Sequence, residues 1–105
     1  MATNSTIIEQ VRQAMPTFMP EGAKLSLFGS RARGDATDES DWDFLLLLDK
    51  EKVNVEDYGR YAYPLVRMGW DFGEYFSVKV YTTNDWQQRK GTPFYYIVEH
   101  DKIDL

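Results

Sequence analysis

Cysteine is absent from the 105-residue sequence, which excludes disulfide bonds and thiolate-bound metals within the chain. Long apolar runs are missing too: the longest, Phe44 to Leu48, has the length of a strand, far short of the roughly 20 residues of a membrane span. The first segment, MATNSTIIEQVRQAM, lacks the basic start and apolar core of a signal peptide. We therefore expect a soluble, cytoplasmic protein without membrane association.

Positive charge is in deficit, with 12 Lys and Arg against 17 Asp and Glu and a net charge of −5. A broad nucleic-acid-binding surface needs a basic face, so this class of partner is not expected. A small polyphosphate held by a few local groups is compatible with this charge. The 43% hydrophobic content is ordinary for a folded protein, and the length predicts one domain over residues 1–105.

Apolar patterning predicts three strands. Residues 24–28 alternate, residues 42–48 are apolar on both faces from Phe44 onward, and residues 75–82 are rich in β-branched and aromatic side chains. The second strand is therefore expected to lie centrally, buried on both sides.

Helical spacing predicts the remaining elements. The first helix should be capped by Ser5 and end before Pro16. A second, over residues 55–68, should break near Tyr63 because Pro64 lies inside it. A short helix over residues 84–90 and a last one over 92–99, capped by Thr92, complete an α/β (α+β) fold: a small mixed β-sheet flanked by helices.

The stretch LFGSRARGDATDESDWDFLLLLDK, residues 27–50, carries two features that suggest chemistry. In the first, Gly29 and Ser30 end a strand and lead into a short helical turn, where backbone amides and the Ser30 hydroxyl can donate to phosphate oxygens. Arg31 and Arg33 could add charge-assisted contacts to the same phosphate. Most such Gly-Ser dipeptides are simple turns.

The second feature is the pair Asp41 and Asp43, which lie two residues apart at the start of a strand, so that both carboxylates point to one face. The carboxylates repel each other unless a cation lies between them, and Mg²⁺ completed by nucleotide phosphates suits such a pair. A solvated strand end is the alternative for an isolated Asp-x-Asp. The loop between the two features leads from the end of one strand to the start of the next strand beside it, so that the Gly-Ser turn and the two aspartates should face one site.

These residues, Gly29-Ser30-Arg31-Ala32-Arg33-Gly34 followed by Ser40-Asp41-Trp42-Asp43 and an apolar strand, closely resemble the signature of minimal nucleotidyltransferases (the MNT family) of the DNA polymerase β-like superfamily. The resemblance implies the nucleotidyltransferase fold and the transfer of a nucleoside monophosphate from an NTP, ATP above all, to an acceptor hydroxyl. It assigns triphosphate binding to Gly29 and Ser30, and the local charge argument adds Arg31 and Arg33 to the predicted nucleotide-binding residues. It assigns two Mg²⁺ ions to Asp41 and Asp43.

The same family usually supplies a third carboxylate from the next strand, where this sequence has Lys79 within Val78-Lys79-Val80-Tyr81. A charged lysine cannot ligate Mg²⁺. Glu74, just before that strand, is the substitute that we predict for the catalytic set, with Asp71 as a further candidate. Asp85 is expected to cap or decorate a helix.

The resemblance also implies partners. An acceptor platform should come from a homodimer or from another polypeptide, such as an all-helical HEPN-type protein in a toxin–antitoxin pair. The alternative is a catalytically weakened protein of the same fold that binds nucleotide or neutralises a partner, and a small structural domain with coincidental motifs is a third reading.

His100 is expected at the surface. The tryptophans and tyrosines are expected in the core and its rim, unless Tyr58, Tyr61, Tyr63, Tyr95 and Tyr96 contribute to a partner surface or stack on a base.

Overall fold

The computed structural model describes residues 3–105. In chain order its elements are α1 (Asn4–Ala14), a 3₁₀ turn (Met15–Thr17), β1 (Lys24–Phe28), α2 (Ser30–Arg33), β2 (Trp42–Leu48), α3 (Val55–Asp57), a π-helical turn (Tyr58–Ala62), α4 (Tyr63–Asp71), β3 (Phe76–Thr82), α5 (Thr83–Gln87), α6 (Pro93–Asp101) and β4 (Ile103–Asp104).

The four strands form one mixed sheet in the order β3-β2-β1-β4. β1 pairs antiparallel with both β2 and β4, whereas β2 and β3 run parallel. The predicted fold class, a small mixed sheet flanked by helices, is confirmed. β1 and β2 have the bounds that the sequence predicted, and β3 begins at Phe76, one residue later than expected.

β2 is central, and its alternate side chains supply two separate cores. Phe44, Leu46 and Leu48 pack with α1 and α4 on one face, while Leu45 and Leu47 pack with α5 and α6 on the other. All five are at most 7% exposed. This two-sided burial holds β2 rigidly, because large apolar side chains on each face lose contacts if the strand shifts.

α1 begins at Asn4, two residues earlier than predicted. Thr3, rather than Ser5, is the N-cap, and its hydroxyl accepts a hydrogen bond from the Thr6 amide at 3.2 Å. Ile7 and Val11 are the buried residues of this helix. The prediction of Ser5 as the cap was wrong because several adjacent residues have similar capping preference, and packing of the apolar pair selects the phase.

The expected break near Tyr63 is confirmed. Tyr63 N–H donates to the carbonyl of Tyr58, five residues back, and Pro64 lies in the first turn of α4. A proline has no N–H and clashes with the preceding turn, so the wider π-helical turn lets the chain pass into α4 without an interior proline.

The C-terminal part contains one predicted and one unpredicted element. Thr92 caps α6 as expected, its hydroxyl accepting from the Tyr95 amide at 3.3 Å. The two-residue strand β4 was not predicted; it pairs with Ser26 and Leu27 of β1. Within residues 3–105, no helix combines the length and apolar character needed to cross a membrane.

Candidate active site

The candidate site lies where β1 ends and β2 begins. Phe28, the last residue of β1, pairs with Asp43, so that Gly29 directly follows a residue paired with the aspartate. Gly29 has φ 74° and ψ −160°, a region that is essentially restricted to glycine. A Cβ added to Gly29 would lie 2.5 Å from Asp43 Oδ2. The turn and the carboxylate are therefore in direct apposition, as the sequence predicted.

The predicted helical turn after Gly29 is present as α2. Ser30 is its first residue, and Gly34 closes it with φ 88° and an N–H bonded to the Ser30 carbonyl at 2.9 Å. The amides of Ala32 and Arg33 already donate to the Gly29 carbonyl, at 3.1 and 3.0 Å, so that the first two amides of α2, those of Ser30 and Arg31, are the ones without a carbonyl partner within the helix. The turn therefore offers backbone donors and the Ser30 hydroxyl next to Asp43.

Asp41 and Asp43 flank Trp42, which is fully buried among the residues of the α1–α4 core. Because successive strand side chains point to opposite faces, Asp43 belongs to the other face of the sheet. Burial raises the pKa of the Asp43 carboxyl, and the negative charge of Asp41 raises it further. The pair thus stores electrostatic repulsion that a bound cation would relieve.

Two cationic side chains act on Asp43 in the opposite sense. The charges of Lys79 and, to a lesser degree, Arg33 lower the pKa of its carboxyl. In the register of β2 and β3, Asp43 pairs with Ser77 and Leu45 with Lys79. Paired residues of parallel strands direct their side chains to the same face, so Lys79 shares the face of Asp43.

Arg33 is half exposed and already has two carboxylate partners. Its Nη1 donates to Asp101 Oδ2 at 2.9 Å and its Nε to Asp35 Oδ2 at 3.2 Å. Both hydrogen bonds, that with Asp101 first, raise the pKa of the guanidinium. Arg33 therefore lies close enough to influence Asp43 while its donors are held by α6 and by the loop after α2.

Arg31 occupies a different environment from the one predicted. It is 9% exposed, and its guanidinium stacks over the Trp42 ring, 5.0 Å from the centroid. Its N–H groups donate to the Ser40 carbonyl at 3.0 Å, to the Asp38 carbonyl at 3.4 Å and to Asn4 Oδ1 at 3.0 Å. Arg31 therefore holds the loop that precedes Asp41 through hydrogen bonds to its carbonyl groups, and its donors are not directed to a phosphate.

Comparison with known proteins agrees with this geometry. Residues 8–99 match the family described as "Nucleotidyltransferase domain". The chain belongs to this nucleotidyltransferase family. A segment of 39 residues, 37% of the chain, is 51% identical to the protein adenylyltransferase MntA of Aphanizomenon flos-aquae (strain 2012/KM1/D3). That match spans 26% of the relative's length.

In this member of the nucleotidyltransferase family, Glu74 pairs with an arginine and does not join the two aspartates in a metal-binding set. Its carboxylate lies 3.5 Å from Arg31 Nη2, in contact with the group that stacks on Trp42. No set of three or more His, Cys, Asp or Glu side chains within residues 3–105 is arranged to hold a metal ion. The geometry therefore gives no support to Glu74 as a third metal-binding carboxylate, and it assigns the residue to the Arg31 contact.

The carboxylates that are present fit one divalent cation better than two. Mg²⁺ prefers six oxygen ligands and usually takes one or two carboxylates from a protein, with water and phosphate oxygens completing its shell. Asp41 and Asp43 can supply that share for a single ion. A second ion would have to share the same two side chains.

The remaining predicted residues fall outside the site. His100 is exposed, as expected, and contacts Asp101. Tyr95 belongs to the core beneath β2, whereas Tyr58, Tyr63 and Tyr96 are about half exposed. The sequence did not reveal that Tyr58 and Tyr63 line an open groove of about 380 Å³ between the helical segment and β3.

Proposed function

We propose that the chain is a Mg²⁺-dependent nucleotidyltransferase that transfers a nucleoside monophosphate, AMP in particular, from an NTP to a hydroxyl group of a protein. The observation that carries this proposal is the apposition of Gly29 and Asp43. One turn can then hold the phosphates next to the carboxylates that hold the cation. Phosphoryl-group transfer depends mainly on such positioning and on charge stabilisation, so these few groups are the essential ones.

In the proposed reaction the acceptor oxygen bonds to the α-phosphorus, and the bond from that phosphorus to the bridging oxygen of the β-phosphate breaks. Pyrophosphate leaves, and the hydroxyl proton is released. Bound Mg²⁺ would supply positive charge to the phosphate oxygens. Asp41 and Asp43 hold that ion, while Gly29 permits the close approach of the triphosphate and Ser30 donates to it.

AMP is proposed because the MntA relative is named a protein adenylyltransferase. For the acceptor we propose a separate, all-helical protein of the HEPN type, as the resemblance to minimal nucleotidyltransferases implies, in a toxin–antitoxin pair. A second copy of the chain is the other platform to be tested.

The groove along β3 is the surface that we propose for the acceptor protein. Ser77, which pairs with Asp43, lines it together with Tyr58, Tyr63 and Tyr75. These three tyrosines are each about half exposed. Exposed aromatic side chains are typical of protein-binding surfaces, and Ser77 connects this groove, on the α4 side of β3, to the strand pair that carries Asp43.

Transfer can be tested with ATP labelled at the α-phosphate, Mg²⁺ and the candidate helical partner. We expect label on the partner, none from ATP labelled at the γ-phosphate, and none with Asp41→Asn or Asp43→Asn. Glu51→Gln, at an exposed carboxylate in the loop after β2, serves as the carboxylate control and should transfer normally. Failure to bind either ATP or Mg²⁺ at millimolar concentration would contradict the proposal.

The second candidate function is nucleotide binding without transfer, which Lys79 and the incomplete carboxylate set favour. It predicts ATP binding that both aspartate substitutions abolish, with no label on any partner. The same experiment therefore separates the two functions.

A further inference from the structure

Lys79 is a positive charge on the same face of the sheet as Asp43. It lies on β3, two residues after the partner of Asp43, and it is exposed. Its neighbours of the same face, Ser77 and Tyr81, are only partly exposed, so that Lys79 is the flexible, solvent-facing member of this row.

The two nearby cations differ in what already binds them. Arg33 forms ion pairs with Asp35 and Asp101. Lys79 takes part in none of the ion pairs found between residues 3 and 105. Its ammonium group therefore remains available to an anion that binds next to Asp43.

We propose that Lys79 takes the place of a second metal ion: the site holds one divalent cation between Asp41 and Asp43, and the Lys79 ammonium group contacts the same polyphosphate. This inference rests on the proposed function, since it concerns the same nucleotide site. It concerns the number of metal ions and the identity of the other phosphate-binding cation.

Charge and coordination chemistry both support this arrangement. A protonated lysine has three N–H donors and no lone pair, so it binds phosphate oxygens but cannot ligate a metal. A second divalent cation next to the ammonium group would be repelled by its charge. Two carboxylates do not provide enough oxygen ligands for two ions to offset that repulsion. A single cation bound by Asp41 and Asp43 leaves the remaining phosphate charge for Lys79.

The direct test counts metal ions. The full chain is titrated with Mn²⁺ in the presence of the non-hydrolysable α,β-methylene analogue of ATP, and free Mn²⁺ is measured by electron paramagnetic resonance. We expect one bound ion per chain in the wild type and two in Lys79→Asp, which adds a carboxylate to the same face. Two ions in the wild type, or one in Lys79→Asp, would overturn the inference.

The affinity for the nucleotide analogue provides the second measurement. A charge-assisted hydrogen bond contributes about 1.5–3 kcal/mol, so Lys79→Ala should weaken the binding of the analogue about tenfold or more. Lys79→Arg should restore most of it, and both variants should bind one Mn²⁺. Unchanged affinity in Lys79→Ala would contradict the role of the ammonium group.

The outcomes also separate this inference from the proposed function. If the wild type binds the analogue together with two Mn²⁺ ions, the nucleotide site stands and Lys79 does not replace a metal. If the wild type binds neither the analogue nor Mn²⁺, both proposals are wrong. Because Lys79 is exposed, thermal unfolding of each variant should match the wild type and exclude misfolding as the cause.

Discussion

Asp43 Oδ2 fills the space in which the Cβ of any residue other than glycine at position 29 would lie. The two residues are joined through Phe28, which precedes Gly29 in the chain and pairs with Asp43 across the sheet. The proposed phosphate-binding turn and the proposed metal-binding carboxylate therefore constrain each other. A change at the turn should affect the carboxylate, although the two residues are fourteen positions apart in the sequence.

The first prediction concerns Gly29→Ala. We expect a loss of about 1–3 kcal/mol in the free energy of unfolding from the backbone conformation alone, together with loss of Mg²⁺ and ATP binding because the new methyl group displaces Asp43. Urea unfolding and calorimetric titration measure the two effects.

Gly34→Ala is the matched control for this prediction. Gly34 also has a positive φ, 88°, but a Cβ there would meet nothing within 4 Å. It should lose about 1–2 kcal/mol of stability and keep its affinity for both ligands. Equal loss of binding in the two variants would show that backbone strain, and not the contact with Asp43, controls the site.

Local signals predicted the framework of this site correctly. The bounds of β1 and β2 follow from short apolar segments: the first ends before Gly29, and the second begins after Asp41. The break near Tyr63 follows from the missing N–H of Pro64. Each of these features is decided by residues within a few positions of it. Sequence reasoning works where the physical cause is equally local.

The parts that were missed depend on distant partners. β4 has only two residues and exists through its pairing with β1. The burial of Arg31 is produced by Trp42, Glu74 and carbonyl groups of a loop, which lie at different places in the chain. An arginine next to a Gly-Ser turn has the same sequence signature whether it faces phosphate or the interior, so only the packed structure distinguishes the two.

The second prediction separates a positioning role from a metal-binding role for Glu74. Arg31→Met should cost about 3 kcal/mol of stability, because it removes one partner of a largely buried pair and leaves carbonyl acceptors unbonded. Glu74→Gln should cost about 1 kcal/mol and leave the affinity for Mg²⁺ unchanged. Thermal unfolding and Mg²⁺ titration of the two variants provide the measurements.

Asp71→Asn, a surface carboxylate close in sequence to Glu74, should change stability by less than about 0.5 kcal/mol and serves as the control. If Glu74→Gln weakens Mg²⁺ binding as strongly as Asp41→Asn does, Glu74 belongs to the metal site after all.

The third prediction concerns the connection that follows β2. Asp57 is 4% exposed and accepts hydrogen bonds from Lys50 Nζ at 2.9 and 3.0 Å and from the Asn54 amide at 2.8 Å. Burial opposes ionisation, yet the Asn54 amide and Lys50 together hold the pKa of Asp57 below its ordinary value of 3.8. Asp57→Asn should therefore lose about 1.5–3 kcal/mol of stability at neutral pH.

The pH dependence of that loss follows from the lowered pKa. A carboxylate with a depressed folded-state pKa stabilises the protein above its unfolded pKa, and this contribution disappears as the pH falls through the folded value. The difference between the wild type and Asp57→Asn should be constant above about pH 5 and shrink in more acidic solution. Urea unfolding across pH 2–7 measures it, and Glu56→Gln, at an exposed position beside it, controls for general charge effects.

The fourth prediction concerns the stability that the protein loses when Asp43 is ionised and no cation is bound. Burial and the charge of Asp41 raise the pKa of Asp43 above 3.8. A group with a raised folded-state pKa contributes stability below its unfolded pKa, and that contribution is lost as the pH rises through the folded value. At neutral pH and without metal, Asp43→Asn should therefore melt at a higher temperature than the wild type, and the difference should vanish as the pH falls below 3.8.

Mg²⁺ should reverse this order, because an ion that binds only the folded protein stabilises it in proportion to the logarithm of its concentration. The melting temperature of the wild type should rise with Mg²⁺ and fall back on addition of a chelator, whereas that of Asp43→Asn should not respond. A wild type that melts above Asp43→Asn without metal at pH 7 would show that Lys79 and Arg33 already neutralise Asp43. In that case the repulsion between Asp41 and Asp43 would not be the reason that the site attracts a cation.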